Sequence, residues 1–143
     1  MYFLINYLCI ICLSFIPNQE NEWKYLFNGS NFDGWKIKIR GHELGDNYNN
    51  TFKVKDGSIK VSYENYEFFD EKFGHIFYAN KKYRNYRLRL EYKFSGDHLK
   101  GAPGWSVKNS GIMLHCQDPE TMLIDQEFPV SAEAQLLGGL GDG

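Results

Sequence analysis

The segment from Phe52 to Tyr63 constrains the fold of this chain more than any other. Asp56 and Gly57 stand at its centre, and apolar and polar residues alternate on both sides. Because successive side chains of a β-strand point to opposite faces, this alternation predicts strands with one buried face. An Asp-Gly pair accepts the positive φ angles of a tight hairpin turn. The sequence therefore predicts an antiparallel hairpin here.

Alternation recurs in other short runs. Ile37 and Ile39 alternate with basic residues, and the run His75–Ala79 also has a two-residue period. The strictest alternation, from Tyr83 to Phe94, predicts a solvated face and a core face, the latter made of Tyr86, Leu88, Leu90, Tyr92 and Phe94. Gly-, Asn- and Pro-containing turns separate the runs, and we find no amphipathic helix of normal length. The sequence predicts an all-β fold, an antiparallel two-sheet sandwich or jelly roll.

Composition limits the partners. The chain has 143 residues, enough for one domain with a core, and its aromatic content of 17% favours strands. Its net charge is −2, and no basic stripe is present. We therefore expect no nucleic-acid partner.

The first sixteen residues, 1–16, form the one sustained apolar run. The run is too short for a comfortable membrane span, and Cys12 and Ser14 offer a cleavage site after Ser14. We interpret it as a signal peptide, although a basic residue near the start is missing. Lipid attachment at Cys9 or Cys12 is the alternative. The sequence predicts export to the periplasm or the extracellular space, with no membrane span in the mature chain.

Two later runs carry the candidate chemistry. In the run from Asn109 to Cys116, alternation puts Gly111, Met113 and His115 on one face. In the run from Ser131 to Gly139, Glu133 and Gln135 point together, opposite to an apolar face. If the two strands share a sheet, then His115, Glu133 and Gln135 lie on a single open surface. This arrangement predicts an acid/base pair and an amide on a rigid platform.

Several motifs occur in an order that resembles a known family. They are Leu26–Gly29 with Phe32–Trp35, Tyr86–Phe94, Asn109–Ile112 and Glu133–Leu137. From Trp23 onward the chain resembles the 3-keto-disaccharide hydrolase domain family. The resemblance implies a concanavalin-like jelly roll, usually exported, that acts on glycosides oxidised to a ketone at the sugar C3. Because the family domain normally continues past the Glu133 strand, we expect residues 23–143 to be the amino-terminal part of a longer domain.

A 3-keto sugar needs less catalytic machinery than an ordinary glycoside. Its C2 proton is α to a ketone, so one base can remove it, after which the enolate expels the aglycone and water adds. This route needs a base, stabilisation of the enolate oxygen and an acid. Glu133 is the candidate base or a metal ligand, His115 the acid or a second ligand, and Gln135 a hydrogen-bond donor. A divalent metal could serve as cofactor, although no recognisable ligand spacing is present.

Other readings of these residues stay open. The substrate-binding candidates are Trp105 and Asn109, but a single Trp is also a common core or lid residue. The domain could be a carbohydrate-binding module without turnover, with Trp35 or Trp105 stacked on a sugar. It could also be a conventional glycosidase, which needs two carboxyl groups across the bond. Each reading makes a small carbohydrate the partner.

Overall fold

The computed structural model describes residues 23–139, so the predicted signal peptide lies outside the described residues. Within this range the chain forms six strands: β1 (Trp35–Ile39), β2 (Phe52–Lys55), β3 (Ser58–Val61), β4 (Gly74–Tyr78), β5 (Asn109–Leu114) and β6 (Ala132–Leu137). Single turns of 3₁₀ helix lie at Tyr48–Asn50, Gly104–Ser106 and Pro119–Thr121. Of the residues described, none belongs to a helix that is long and apolar enough to cross a bilayer.

The strands form antiparallel pairs, which are β1 with β4, β2 with β3, and β5 with β6. Helix is almost absent, and no closed barrel forms across residues 23–139. The predicted all-β antiparallel class is thus confirmed, and the arrangement is consistent with a sandwich. The predicted hairpin is β2–β3, whose turn residues Asp56 and Gly57 have φ angles of 51° and 72°.

The core lies between the β1–β4 pair and the β2–β3 hairpin. Ile37, Ile39 and Phe52 form its buried centre, and Ile39 is 0% exposed. Partly buried side chains pack around them, namely Phe32, Tyr48, Ile59 and Ile76. The predicted alternation of β1 is confirmed, because the two isoleucines point into this core. On the opposite face of the same pair, Lys38 lies directly across from His75.

The prediction for the segment from Tyr83 to Phe94 is wrong. This segment forms no strand, and the side chains of Leu88 and Leu90 are each 44% exposed. Tyr86 and Tyr92 are exposed as well. Alternation determines which side chains share a face, but only a neighbouring strand and a facing layer can bury that face. Among the described residues, no backbone hydrogen-bond ladder joins this segment to a neighbour.

The burial of Ile39 and the exposure of Leu90 predict different losses of stability when each is replaced with alanine. We expect Ile39→Ala to cost about 2–5 kcal/mol of unfolding free energy, because it opens a cavity in the buried centre. Leu90→Ala is the matched control and should cost much less, since its side chain is already half in water. Urea unfolding of both variants measures the difference. Equal losses would mean that Leu90 is buried in solution.

Candidate active site

The β5–β6 pair carries the candidate site. Its register places Met113 opposite Glu133 and Gly111 opposite Gln135. Directly opposed residues of an antiparallel pair share a face, so Glu133 and Gln135 lie together on one face of this sheet. The two sequence runs therefore pair in one sheet, which is the condition under which the alternation puts Glu133 and Gln135 on one surface. This face carries a single carboxylate, that of Glu133.

A hydrogen-bond network fixes the direction of the Gln135 amide. Asn109 donates through Nδ2 to the Trp105 carbonyl oxygen at 2.8 Å. Because a carbonyl only accepts, Asn109 must turn its Oδ1 toward Gln135, which donates to it through Nε2. Gln135 Nε2 also lies 3.3 Å from the Ser110 carbonyl oxygen. Both amide protons of Gln135 are thus directed at the protein, and its Oε1 is left to accept a hydrogen bond. The geometry favours an acceptor at this position over the predicted donor.

Trp105 is held as an open aromatic surface beside this network. It lies in the 3₁₀ turn Gly104–Ser106, and 58% of its surface is exposed. Its ring is parallel to that of Phe73, with an interplanar angle of 1° and centroids 6.1 Å apart. Trp35 differs, because its Nε1 donates to the Leu26 carbonyl oxygen at 3.3 Å and its ring packs edge-on against Tyr78. Of these two candidates, Trp105 is the one placed to stack on a sugar ring.

His75 is a further candidate residue that the sequence pattern did not indicate. It lies on β4, and its Nε2 is 2.6 Å from the Glu127 carbonyl oxygen. Because the carbonyl can only accept, Nε2 must carry the proton, and the neutral ring then has Nδ1 as its acceptor. The ring of Phe128 lies 5.6 Å from the imidazole, centroid to centroid. A histidine inside a short alternating strand gives no sequence signal that separates this role from an ordinary sheet position.

Burial lowers the pKa of His75 from its ordinary value of 6.5. The hydrogen bond to the Glu127 carbonyl and the charge of Glu133 act in the opposite direction, and the charge of Lys38 lowers the pKa further. His75 is therefore neutral at pH 7. Aromatic contacts link His75 to Trp105. The ring of Phe128 lies 5.0 Å from that of Phe73, centroid to centroid, and the Phe73 ring is parallel to that of Trp105.

The burial of the Lys38 ammonium group is explained by its hydrogen bonds to the backbone. Its side chain is 3% exposed, and burial lowers its pKa. Nζ donates to the carbonyl oxygens of Ile39 at 3.1 Å, His42 at 2.7 Å and Ile124 at 2.9 Å. These three bonds use all three ammonium protons. Lys38 therefore fixes the Ile124 loop against β1 and has no proton left for a substrate.

The prediction that His115 shares the face of Glu133 is wrong. β5 ends at Leu114, and His115 has a φ angle of 49°, in the left-handed region. Leu114 and His115 line one open cavity of about 370 Å³, together with Arg84, Asn85 and Tyr86. Leu114 belongs to the face of β5 opposite to Met113 and Glu133. The left-handed residue ends the pleat, so the alternation could not be extended to position 115.

Metal chemistry receives no support from the ligand set. Within residues 23–139, no three His, Cys, Asp or Glu side chains are grouped so that they could hold a metal ion. The candidate site offers one carboxylate, one imidazole nitrogen and one amide oxygen as donors. This donor set does not fit a metal ion within the described residues.

Comparison with known families agrees with this geometry. The model of the 3-keto-α-glucoside-1,2-lyase-like domain matches residues 22–142. The chain belongs to this family. The resemblance found in the sequence is thereby confirmed, and the family supports a carbohydrate-related function. No curated protein and no solved structure gives a significant match to the chain.

Proposed function

We propose that this domain cleaves the glycosidic bond of 3-keto-glycosides, with Glu133 as the base that removes the C2 proton. The supporting observation is the composition of the β5–β6 face. It presents one carboxylate, Glu133, beside the amide of Gln135, which the Asn109 network links to the open ring of Trp105. A single base meets the demand of a 3-keto sugar, whereas an unoxidised glycoside requires a carboxyl pair.

The reaction balances with water as the only co-reactant. Glu133 takes the C2 proton, and the electrons of the C–H bond move into an enolate on the C3 oxygen. The enolate collapses, the bond from C1 to the aglycone oxygen breaks, and a proton reaches that oxygen to release an alcohol. Water then adds to C1 of the enone, and a proton returns to C2. The products are the free 3-keto sugar and the aglycone, a net hydrolysis.

Each remaining side chain has a role that its contacts permit. Trp105 stacks on the apolar face of the sugar ring, and Gln135 Oε1 accepts a hydrogen bond from a sugar hydroxyl. Asn109 orients the Gln135 amide. His75 is neutral and has Nδ1 as its acceptor, which suits the removal of a proton from the water that adds to C1.

A carbohydrate-binding module is the second candidate. The observation that favours it is the 58% exposure of Trp105, because an open aromatic ring beside a fixed amide is enough to bind a sugar. A conventional glycosidase is less well supported. The closest other carboxylate along the chain, that of Glu127, has Oε1 at 3.8 Å from the guanidinium of Arg40.

A comparison of a 3-keto-glucoside with its unoxidised parent glucoside distinguishes these functions. We expect release of aglycone from a 3-keto-glucoside and none from the parent glucoside under the same conditions, because only the ketone acidifies the C2 proton. In deuterated water, C2 of the released sugar should carry deuterium. A sample incubated without protein corrects for spontaneous exchange. Equal activity on both substrates would support the conventional glycosidase, and binding without release would support the module.

A further inference from the structure

The backbone conformation at position 111 does not require a glycine, although Gly111 stands there. It lies inside β5, where glycine weakens a strand because it packs nothing and loses the most conformational freedom. The described glycines with positive φ do not include it. Its conformation is therefore open to any residue, and the reason for a glycine must be space.

The space above Gly111 holds the carboxylate of Glu133. A Cβ atom at position 111 would lie 1.9 Å from Glu133 Oε1, 2.6 Å from Cδ and 2.7 Å from Cγ. Such separations are far inside van der Waals contact. Glu133 is directly opposite Met113, so its side chain crosses β5 diagonally to reach Gly111. The carboxylate consequently lies over the strand, in the volume where any other side chain would begin.

We propose that Gly111 is a positioning residue that seats the Glu133 carboxylate flat on the sheet and turns it toward the Asn109 end of β5. At that end, Asn109 contacts Trp105, the proposed sugar platform. A proton transfer requires the base to be within hydrogen-bond reach of its proton, and small displacements are costly. A methyl group at position 111 lifts the carboxylate away from the sheet. The effect on catalysis rests on the proposed function, but the position of the Glu133 carboxylate over Gly111 does not.

A double-mutant cycle on stability tests the seating without any substrate. Gly111→Ala should lower the urea midpoint when Glu133 is present, because two groups then compete for one volume. In a Glu133→Ala background the same substitution should leave the midpoint unchanged or raise it. Gly139→Ala is the control, since a Cβ atom there meets nothing within 4 Å. Equal effects of Gly111→Ala in both backgrounds would overturn the proposal.

Kinetics test the consequence. Gly111→Ala should lower kcat on a 3-keto-glucoside by about 10- to 100-fold, as expected for a displaced base. KM should change little, because Trp105, Asn109 and Gln135 keep their contacts. A change confined to KM would overturn the positioning role. The stability cycle could show coupling while the wild-type protein shows no turnover. That result would support the proposed position of the Glu133 carboxylate and refute the proposed function.

Discussion

Replacing Glu133 with glutamine should lower turnover of a 3-keto-glucoside by about 10²–10⁴-fold and leave sugar binding largely unchanged. Glutamine keeps the length and the hydrogen-bonding reach of the side chain but cannot accept the C2 proton. It also fills the same volume above Gly111, so the sheet face keeps its shape. The measurements are kcat from aglycone release and the dissociation constant from calorimetry with a non-cleaved analogue.

Glu127→Gln is the matched control for this experiment. The Glu127 side chain faces Arg40, and its contact with His75 is made by the backbone carbonyl, which the substitution retains. We therefore expect near wild-type turnover from Glu127→Gln. Full activity of Glu133→Gln would assign the base to another group. Loss of binding together with turnover would make Glu133 a sugar-binding residue.

Local features of the fold could be predicted from the sequence. The Asp56-Gly57 hairpin and the buried side of β1 follow from turn chemistry and a two-residue period, which act over a few residues. The segment from Tyr83 to Phe94 shows the same period more strictly, yet its apolar side is exposed. Burial depends on which elements face a strand, and that information is distant in the chain.

In the candidate site, too, the sequence predicts the local features and not those that depend on distant segments. Alternation placed Glu133 and Gln135 on one face because both lie inside β6. It failed for His115, where one left-handed residue ends the pleat of β5. It could not find His75, because the aromatic contacts that link His75 to Trp105 join segments that are far apart in sequence. Nor could it find the direction of the Gln135 amide, which depends on the Trp105 carbonyl.

Replacing His75 should produce the second large effect on turnover. We expect His75→Gln to lower kcat by about 10²–10⁴-fold, the usual contribution of a positioned acid/base group. The amide nitrogen of glutamine can replace Nε2 as the donor to the Glu127 carbonyl, whereas the acceptor Nδ1 is lost. The fold should therefore persist, which circular dichroism and the urea midpoint measure. His115→Gln is the matched control, since the structure places His115 in the cavity with Leu114, and it should change kcat little.

The pH profile makes the role of His75 specific. Burial lowers its pKa below 6.5, so the imidazole stays neutral to a lower pH than an exposed histidine, and wild-type activity should persist below pH 6.5. As the pH falls through the pKa of His75, the imidazole gains a proton at Nδ1 and can no longer accept one from water, so kcat should decline. His75→Gln has no group that titrates at this position, so the residual activity of that variant should lack this decline. The same decline in His75→Gln would mean that His75 supports the site without exchanging a proton during the reaction.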